Sequence, residues 1–332
     1  MKKFLIRENG NFYKVNMHCH STISDGKLTP EQVKTAYMEK GYSAVAFTDH
    51  DVLVSHNDLT DENFVALNGY EMEVDLATQY DRPHHRTKTC HMCLVATSPN
   101  ITKQVCFHMT KYLHRSKPEI LSKLKLDYDK NLPDYERTYN PECISDMMKT
   151  GRENGFFVTY NHPTWSGESY PDYINYNGMH AMEIYNNECV NLGLEEYNSR
   201  VYDEMLRSGK QLYCIAADDM HYMKSVGGGY IMVKADKLDY CSLTAAILDG
   251  QFYASTGAEI KELYIEDGYL YITTSPSKMI SISTDFMFVD KVCSEDAPIT
   301  SAKFKLETFY KYFRITVTDT EGKKAYTNAY KL

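Results

Sequence analysis

Six histidines, His18, His20, His50, His91, His162 and His221, stand at or beside the ends of short apolar runs. In His18-Cys19-His20 the two imidazoles are two residues apart, and on an extended strand residues i and i+2 point the same way, so both can reach one cation. The next run ends in Thr48-Asp49-His50-Asp51, where Asp49, the acid beside the imidazole, is expected to orient it by holding a ring N–H. Gly69-Tyr70-Glu71-Met72-Glu73 supplies carboxylates able to bridge two cations. His91, Asn161-His162-Pro163 and Asp218-Asp219-Met220-His221 mark later runs. Singly, each is compatible with a surface polar residue or a hydrogen-bonded core histidine. Repeated at nearly every run, they point to a multinuclear hydrolytic metal site, in which divalent cations acidify water and polarise the bond to be cleaved. His91 fits least well, because it precedes the apolar stretch MCLVA instead of following it.

These residues need a scaffold that brings strand ends together. Val15–His20, Ser43–Phe47, Phe64–Glu71, Thr89–Ala96, Phe156–Tyr160, Ala181–Tyr185 and Gln211–Ala216 read as strands. Thr29-Pro30-Glu31-Gln32 opens a helix with a capping box that Gly41 closes, and Asn140-Pro141 opens another along Ile144, Met147, Met148 and Gly151. Leu194, Tyr197, Val201 and Met205 mark a third helical face ending near Gly209. The alternation predicts an α/β architecture of parallel strands, with a closed, TIM-like barrel preferred to an open sheet and the site at its C-terminal edge. Residues 99–133 are Lys-rich, helical in composition, and read as an insertion with a solvated charged face. Gly227-Gly228-Gly229 reads as a loop hinge, and no strand is followed by a dinucleotide fingerprint. Beyond Gly257 only β signals remain, including the hairpin KELYIE-Asp267-Gly268-YLYITT, so residues 258–332 are expected to form a separate small all-β, sandwich-like domain after a 1–257 barrel.

Composition sets limits. The 332 residues carry 36 Lys and Arg against 45 Asp and Glu, a net charge of −9, which disfavours gripping nucleic acid or an anionic membrane. A small anionic substrate is not excluded, because bound metal can reverse the local field. No run reaches the about 18 apolar residues of a membrane span, and the N-terminal apolar run Phe4–Ile6 is too short for a signal peptide, so a cytoplasmic location is expected. Nine scattered cysteines suggest buried thiols, and Cys90 and Cys93, three apart on a strand, face opposite sides and do not suggest a zinc pair.

Taken in order, HCHSTISDGKLTPEQV, FTDHD, NGYEMEV, NHPTW and AADDMHY resemble the motifs of the PHP (polymerase and histidinol phosphatase) family of metal-dependent phosphoesterases, over residues 14 to about 257. The tail, with STGAEI, FRITVTD and AYTNAY, resembles the C-terminal β domain of a two-domain subgroup that includes a carbaryl-hydrolase-like branch. The resemblance implies a distorted seven-stranded β/α barrel and a trinuclear site. It implies His18, His20, Glu71 and Asp219 on one metal, Asp25, His50 and His221 on a second, and Glu71, His91 and His162 on the third, with Glu71 bridging. Asp25 stands where some relatives have histidine, and its harder oxygen ligand leans towards Mn or Fe over Zn.

The reading that results is hydrolysis of a small-molecule phosphate ester at three divalent cations (Mn, Fe or Zn), with Glu71, His162, His221 and Asp49 as the working groups. Arg82, His84, His85 and Arg86 form a basic cluster that could clamp a phosphate, and Trp165 is placed to wall the pocket. The alternative is the same metal chemistry on a carboxylic ester, amide or carbamate, and a third is a metal-stabilised binding module without turnover.

Overall fold

The computed structural model describes residues 2–76, 88–287 and 289–332. Arg82, His84, His85 and Arg86 lie outside the described residues. Among the described residues, and besides the two-residue strand Lys3–Phe4 that pairs with the tail, nine strands organise the first part of the chain: β1 (Asn11–Asn16), β2 (Ala44–Phe47), β3 (Val65–Asp75), β4 (Thr89–Ala96), β5 (Phe156–Tyr160), β6 (Ala181–Asn186), β7 (Tyr213–Ala217), β8 (Tyr230–Ala235) and β9 (Phe252–Ser255). β1, β2 and β3 pair in parallel, as do β5, β6 and β7. β4 lies between the two groups, antiparallel to both β3 and β5, which departs from the all-parallel expectation. A parallel bridge between Cys19, just beyond β1, and Met220, just beyond β7, returns the pairing to its start.

The helices that cover these strands begin where the caps predict. α1 (Pro30–Glu39) has the Thr29 and Gln32 side chains each hydrogen-bonded to the other's backbone N–H. α2 (Pro141–Glu153) is capped by Asn140 and buries Ile144, Met147, Met148 and Gly151. A Cβ on Gly151 would come within 2.7 Å of Leu94, so the glycine lets the helix lie close on β4. α3 (Ser199–Arg207) starts later than its apolar spacing predicts. Leu194 and Tyr197 precede it and are exposed, because the chain there bridges Tyr197 to Tyr185 and gives the Asn198 N–H to Ile184.

Residues 99–133 are not helical overall. They hold only the short turns Leu113–Arg115 and Pro118–Leu121, and their backbone is tied across the loop by pairing Gln104 with Tyr128. The tail is β throughout. Asp267 and Gly268 both take positive φ (51° and 78°), the turn that matches the twist of the hairpin Ile260–Glu266 / Tyr269–Thr284. Leu263, Leu270, Ile272, Phe304, Phe313 and Val317 build a second core beneath it. The tail stays bonded to the strands before it: β9 pairs with Lys324–Thr327, and the buried Arg314 makes a two-point contact with Asp203 of α3 at 2.7 Å.

Candidate metal centre

The site is assembled from strand ends. Along β3 the side chains of Tyr70, Met72 and Val74 enter the main core, so Glu71 and Glu73 face the other way. Along β4, Cys90, Met92 and Leu94 do the same and leave His91 and Cys93 on the face of Glu71. His50 is set beside Glu71 by a parallel bridge between the two residues. His18 and His20 follow β1, and the His20 N–H is held by Met220 O at 2.9 Å. Two further groups enter from left-handed backbone, His162 (φ 25°) and Asp219 (φ 50°), conformations that cost about 1–3 kcal/mol and recur where function requires them.

Glu71 lies at the centre of this cluster. Its Oε1 is 3.2 Å from His18, 3.2 Å from His91 and 3.3 Å from His162, while Oε2 is 3.4 Å from His20 and 3.3 Å from His50. Asp219 Oδ1 lies 3.2 Å from His18 and 3.1 Å from His20. Asp25 lies 3.3 Å from His221 and 3.7 Å from His50. Every residue expected from the sequence as a metal ligand is therefore in one cluster, and His20, Asp25, His50 and His221 form one compact set within it. Glu73, which spacing alone could not separate from Glu71, instead faces His91 at 3.5 Å, His114 at 3.0 Å and Arg115 at 3.0 Å.

The donor set fits divalent cations. Atoms bound at about 2.0–2.2 Å around one tetrahedral or octahedral ion stand about 3.0–3.5 Å from each other, and most of the separations above fall in that range. His20 Nδ1, His50 Nδ1, both ring nitrogens of His91 and Asp219 Oδ1 are buried without a hydrogen-bond partner, which is costly unless something else satisfies them. Electrostatics agree. Burial alone would raise Glu71 and Asp219, yet the histidines around them, His18 foremost, hold both carboxyls well below the usual range. Burial would lower His20 and His162, but Asp219 and Glu71 carry them up to about 10 and about 9. Burial, with the His20 ring beside it, pulls His50 down to about 3.

The supporting groups differ partly from expectation. Asp49 does not hold the His50 ring. Its carboxylate accepts from Ser21 N and Oγ (both 2.8 Å) and from Ser24 N and Oγ (3.1 and 2.7 Å), so it shapes the loop carrying His20 and Asp25. Gly227, Gly228 and Gly229 are no hinge, since their three N–H groups close on the buried Asp218 carboxylate at 2.7–2.8 Å. Trp165 stands with its ring against those of His91 (5.2 Å) and His162 (5.0 Å). Sequence reasoning missed Glu183, which binds His18 Nδ1 at 2.7 Å, and Asn161, which donates to Glu71 at 2.9 Å. It also missed Arg115, which reaches in from the insertion to Asp25 at 3.3 Å and Glu73. A lone acid inside the apolar run AMEIYN was the one signal for Glu183.

Residues 16–154 match the PHP domain family model. No curated protein matches the chain. Among solved structures, it is similar to a two-domain protein from Bacteroides vulgatus described as containing a predicted PHP-like metal-dependent phosphoesterase. The two are 14% identical over 99% of this chain and 98% of the other, with a TM-score of 0.47. It is also similar to an amidohydrolase from Chromobacterium violaceum with bound sulfate and no metal, 15% identical over 72% of this chain and 96% of that one, with a TM-score of 0.42. The stretch that matches the PHP domain family, residues 16–154, carries His18, His20, Asp25, His50, Glu71 and His91.

Proposed function

We propose that this metal-dependent hydrolase cleaves phosphate esters of small molecules at a trinuclear centre built on a distorted seven-stranded barrel, the ring of pairings from β1 to β7. The observation that carries the reading is Glu71, whose two oxygens divide five imidazoles between them as a bridging carboxylate would. The ligand sets are His18, His20, Asp219 and Glu71; Asp25, His50 and His221; and Glu71, His91 and His162. Bound there, divalent cations would acidify water and polarise the oxygens of the ester.

The chain's own groups do the rest. Arg115, braced by Asp25 and Glu73, offers a fixed guanidinium to a phosphoryl oxygen. Trp165 walls the cavity and excludes water from His91 and His162. His221, 21% exposed where the other five site imidazoles are at most 3%, is the ring within reach of a leaving group. An enzyme of this kind turns over p-nitrophenyl phosphate in a Mn-dependent manner and loses both metal and turnover in the His18→Ala/His20→Ala variant. Turnover of p-nitrophenyl acetate in place of the phosphate would transfer the reading to a carbon-centred ester or amide. Equal metal content by elemental analysis in the variant and the parent protein would remove the metal assignment.

A further inference from the structure

The same cavity has a second chemical character. Its volume is about 250 Å³, just below the about 300–1,000 Å³ of sites for drug-sized ligands, so its occupant is small. Beside Arg115 and the metal-ligating groups, its lining includes Trp165, Leu192 and Tyr222, and these stay 37%, 59% and 45% exposed. Single exposed apolar residues are ordinary on protein surfaces, but three large ones on the lining of one cavity mark a binding face. They come from the loops after β5, β6 and β7, which are neighbours in the pairing order.

The backbone that carries all three is held in place before any ligand arrives. The Trp165 backbone N–H is fixed on the buried Glu196 at 2.8 Å, and its ring is set edge-on to His91 and His162. The Leu192 N–H closes on Glu188 O at 3.0 Å. Ser225 ties the other two loops together: its hydroxyl bonds the Glu188 carboxylate, its carbonyl accepts from Asn187 Nδ2 at 2.8 Å, and its N–H bonds Tyr222 O at 2.9 Å. A shelf organised in advance gives up little conformational entropy on binding.

Resting on the phosphoesterase reading, we propose that Trp165, Leu192 and Tyr222 form the leaving-group subsite and select phosphate esters whose alcohol carries a flat aromatic ring. Against Leu192 and the ring faces of Trp165 and Tyr222, polyol and sugar hydroxyls would lose water without a hydrogen bond in return, the Tyr222 hydroxyl and the Trp165 indole N–H at the ring edges excepted. Leu192 and Tyr222 are then specificity residues.

Trp165 is the single tryptophan of the chain, so its fluorescence reports occupancy of the site directly. The experiment titrates the protein as purified with benzylphosphonate, methylphosphonate and benzyl alcohol. Benzylphosphonate is expected to bind about tenfold more tightly than methylphosphonate, the scale of one well-placed aromatic contact with its buried area. In Leu192→Ala and Tyr222→Ala that ratio should fall towards one. Equal affinity of the two phosphonates in the parent protein, an unchanged ratio in both variants, or no fluorescence response to any probe would overturn the shelf. Benzyl alcohol binding as tightly as benzylphosphonate would leave the shelf standing and remove the phosphate grip, which separates failure of the phosphoesterase reading from failure of this one.

Discussion

Glu183 holds the His18 ring by Nδ1 at 2.7 Å, and its other oxygen accepts the backbone N–H of His162 at 3.1 Å. One fully buried carboxylate thus positions two of the proposed ligands, and Asn186 extends it to Asp219, bonding Glu183 at 2.9 Å and Asp219 at 3.1 Å. By fixing Nδ1, Glu183 directs His18 Nε2 towards Glu71 and Asp219.

Glu183→Gln keeps the shape but removes the negative charge that His18 Nδ1 faces at 2.7 Å, one of several, Asp219 foremost, that hold His18 above the usual imidazole range. Metal affinity should fall about 10–100-fold, as it does when such outer carboxylates are lost elsewhere. Competition titration against a chelating dye would measure it. Affinity within twofold of the parent protein would show that His18 needs no such support.

Metal uptake should release protons. His20 and His162 are raised to about 10 and about 9 by Asp219 and Glu71 beside them, so both carry protons at pH 7 until a cation takes their place, and a ligating nitrogen must be free of its proton. Affinity is therefore expected to weaken as pH falls. Calorimetry of Mn²⁺ or Zn²⁺ binding in buffers of different ionisation enthalpy counts the protons, and a heat independent of the buffer would contradict the expectation.

How far this centre could be read from the sequence depends on strand direction. His91 fitted poorly because it precedes its apolar run, whereas its partners follow theirs. β4 runs antiparallel to both neighbours, so its early residues lie at the sheet edge where the parallel strands end, and His91 meets Glu71 there. Alternation along a strand shows which residues share a face, not which way the strand runs. Arg115 had no signal at all. It lies in a Lys-rich stretch that read as solvated, and only the tertiary path of that loop turns one guanidinium inward. The caps at Thr29 and Asn140, by contrast, act within three residues, and the structure shows both as read.

Asp51 and Arg137 form a buried ion pair at 2.6 Å that ties the segment before α2 to the residue after His50. Arg137 also donates to Glu73 O at 2.9 Å, and its guanidinium lies over the Tyr112 ring. Burial raises Asp51 to about 7 even beside the guanidinium, so Arg137→Met leaves a buried carboxyl that takes up a proton and lacks its partner, and should cost about 3–5 kcal/mol in urea unfolding. Asp51→Asn/Arg137→Met should recover part of that loss. If the double variant is no more stable than the single one, the cost lies in packing and not in the stranded carboxyl.

Gly228 tests whether the glycine loop is rigid. A Cβ at this position would lie 2.0 Å from Asn187 Oδ1, inside any contact distance, while the Gly228 N–H bonds Asp218 at 2.8 Å. Gly228→Ala must therefore displace Asn187 or lift the loop from Asp218, next to Asp219 of the proposed metal set. Gly209, where a Cβ meets nothing within 4 Å but φ is +95°, is the control, since its alanine variant suffers backbone strain with no clash and no contact with the site. Both variants should lose stability, Gly209→Ala by about 1 kcal/mol. Only Gly228→Ala should lose metal affinity as well, by about tenfold if Asp219 shifts with its neighbour. Thermal melts with and without EDTA separate the two effects: the metal-dependent rise in Tm should persist in Gly209→Ala and shrink in Gly228→Ala. An undiminished rise in Gly228→Ala would mean that the loop yields without moving the centre.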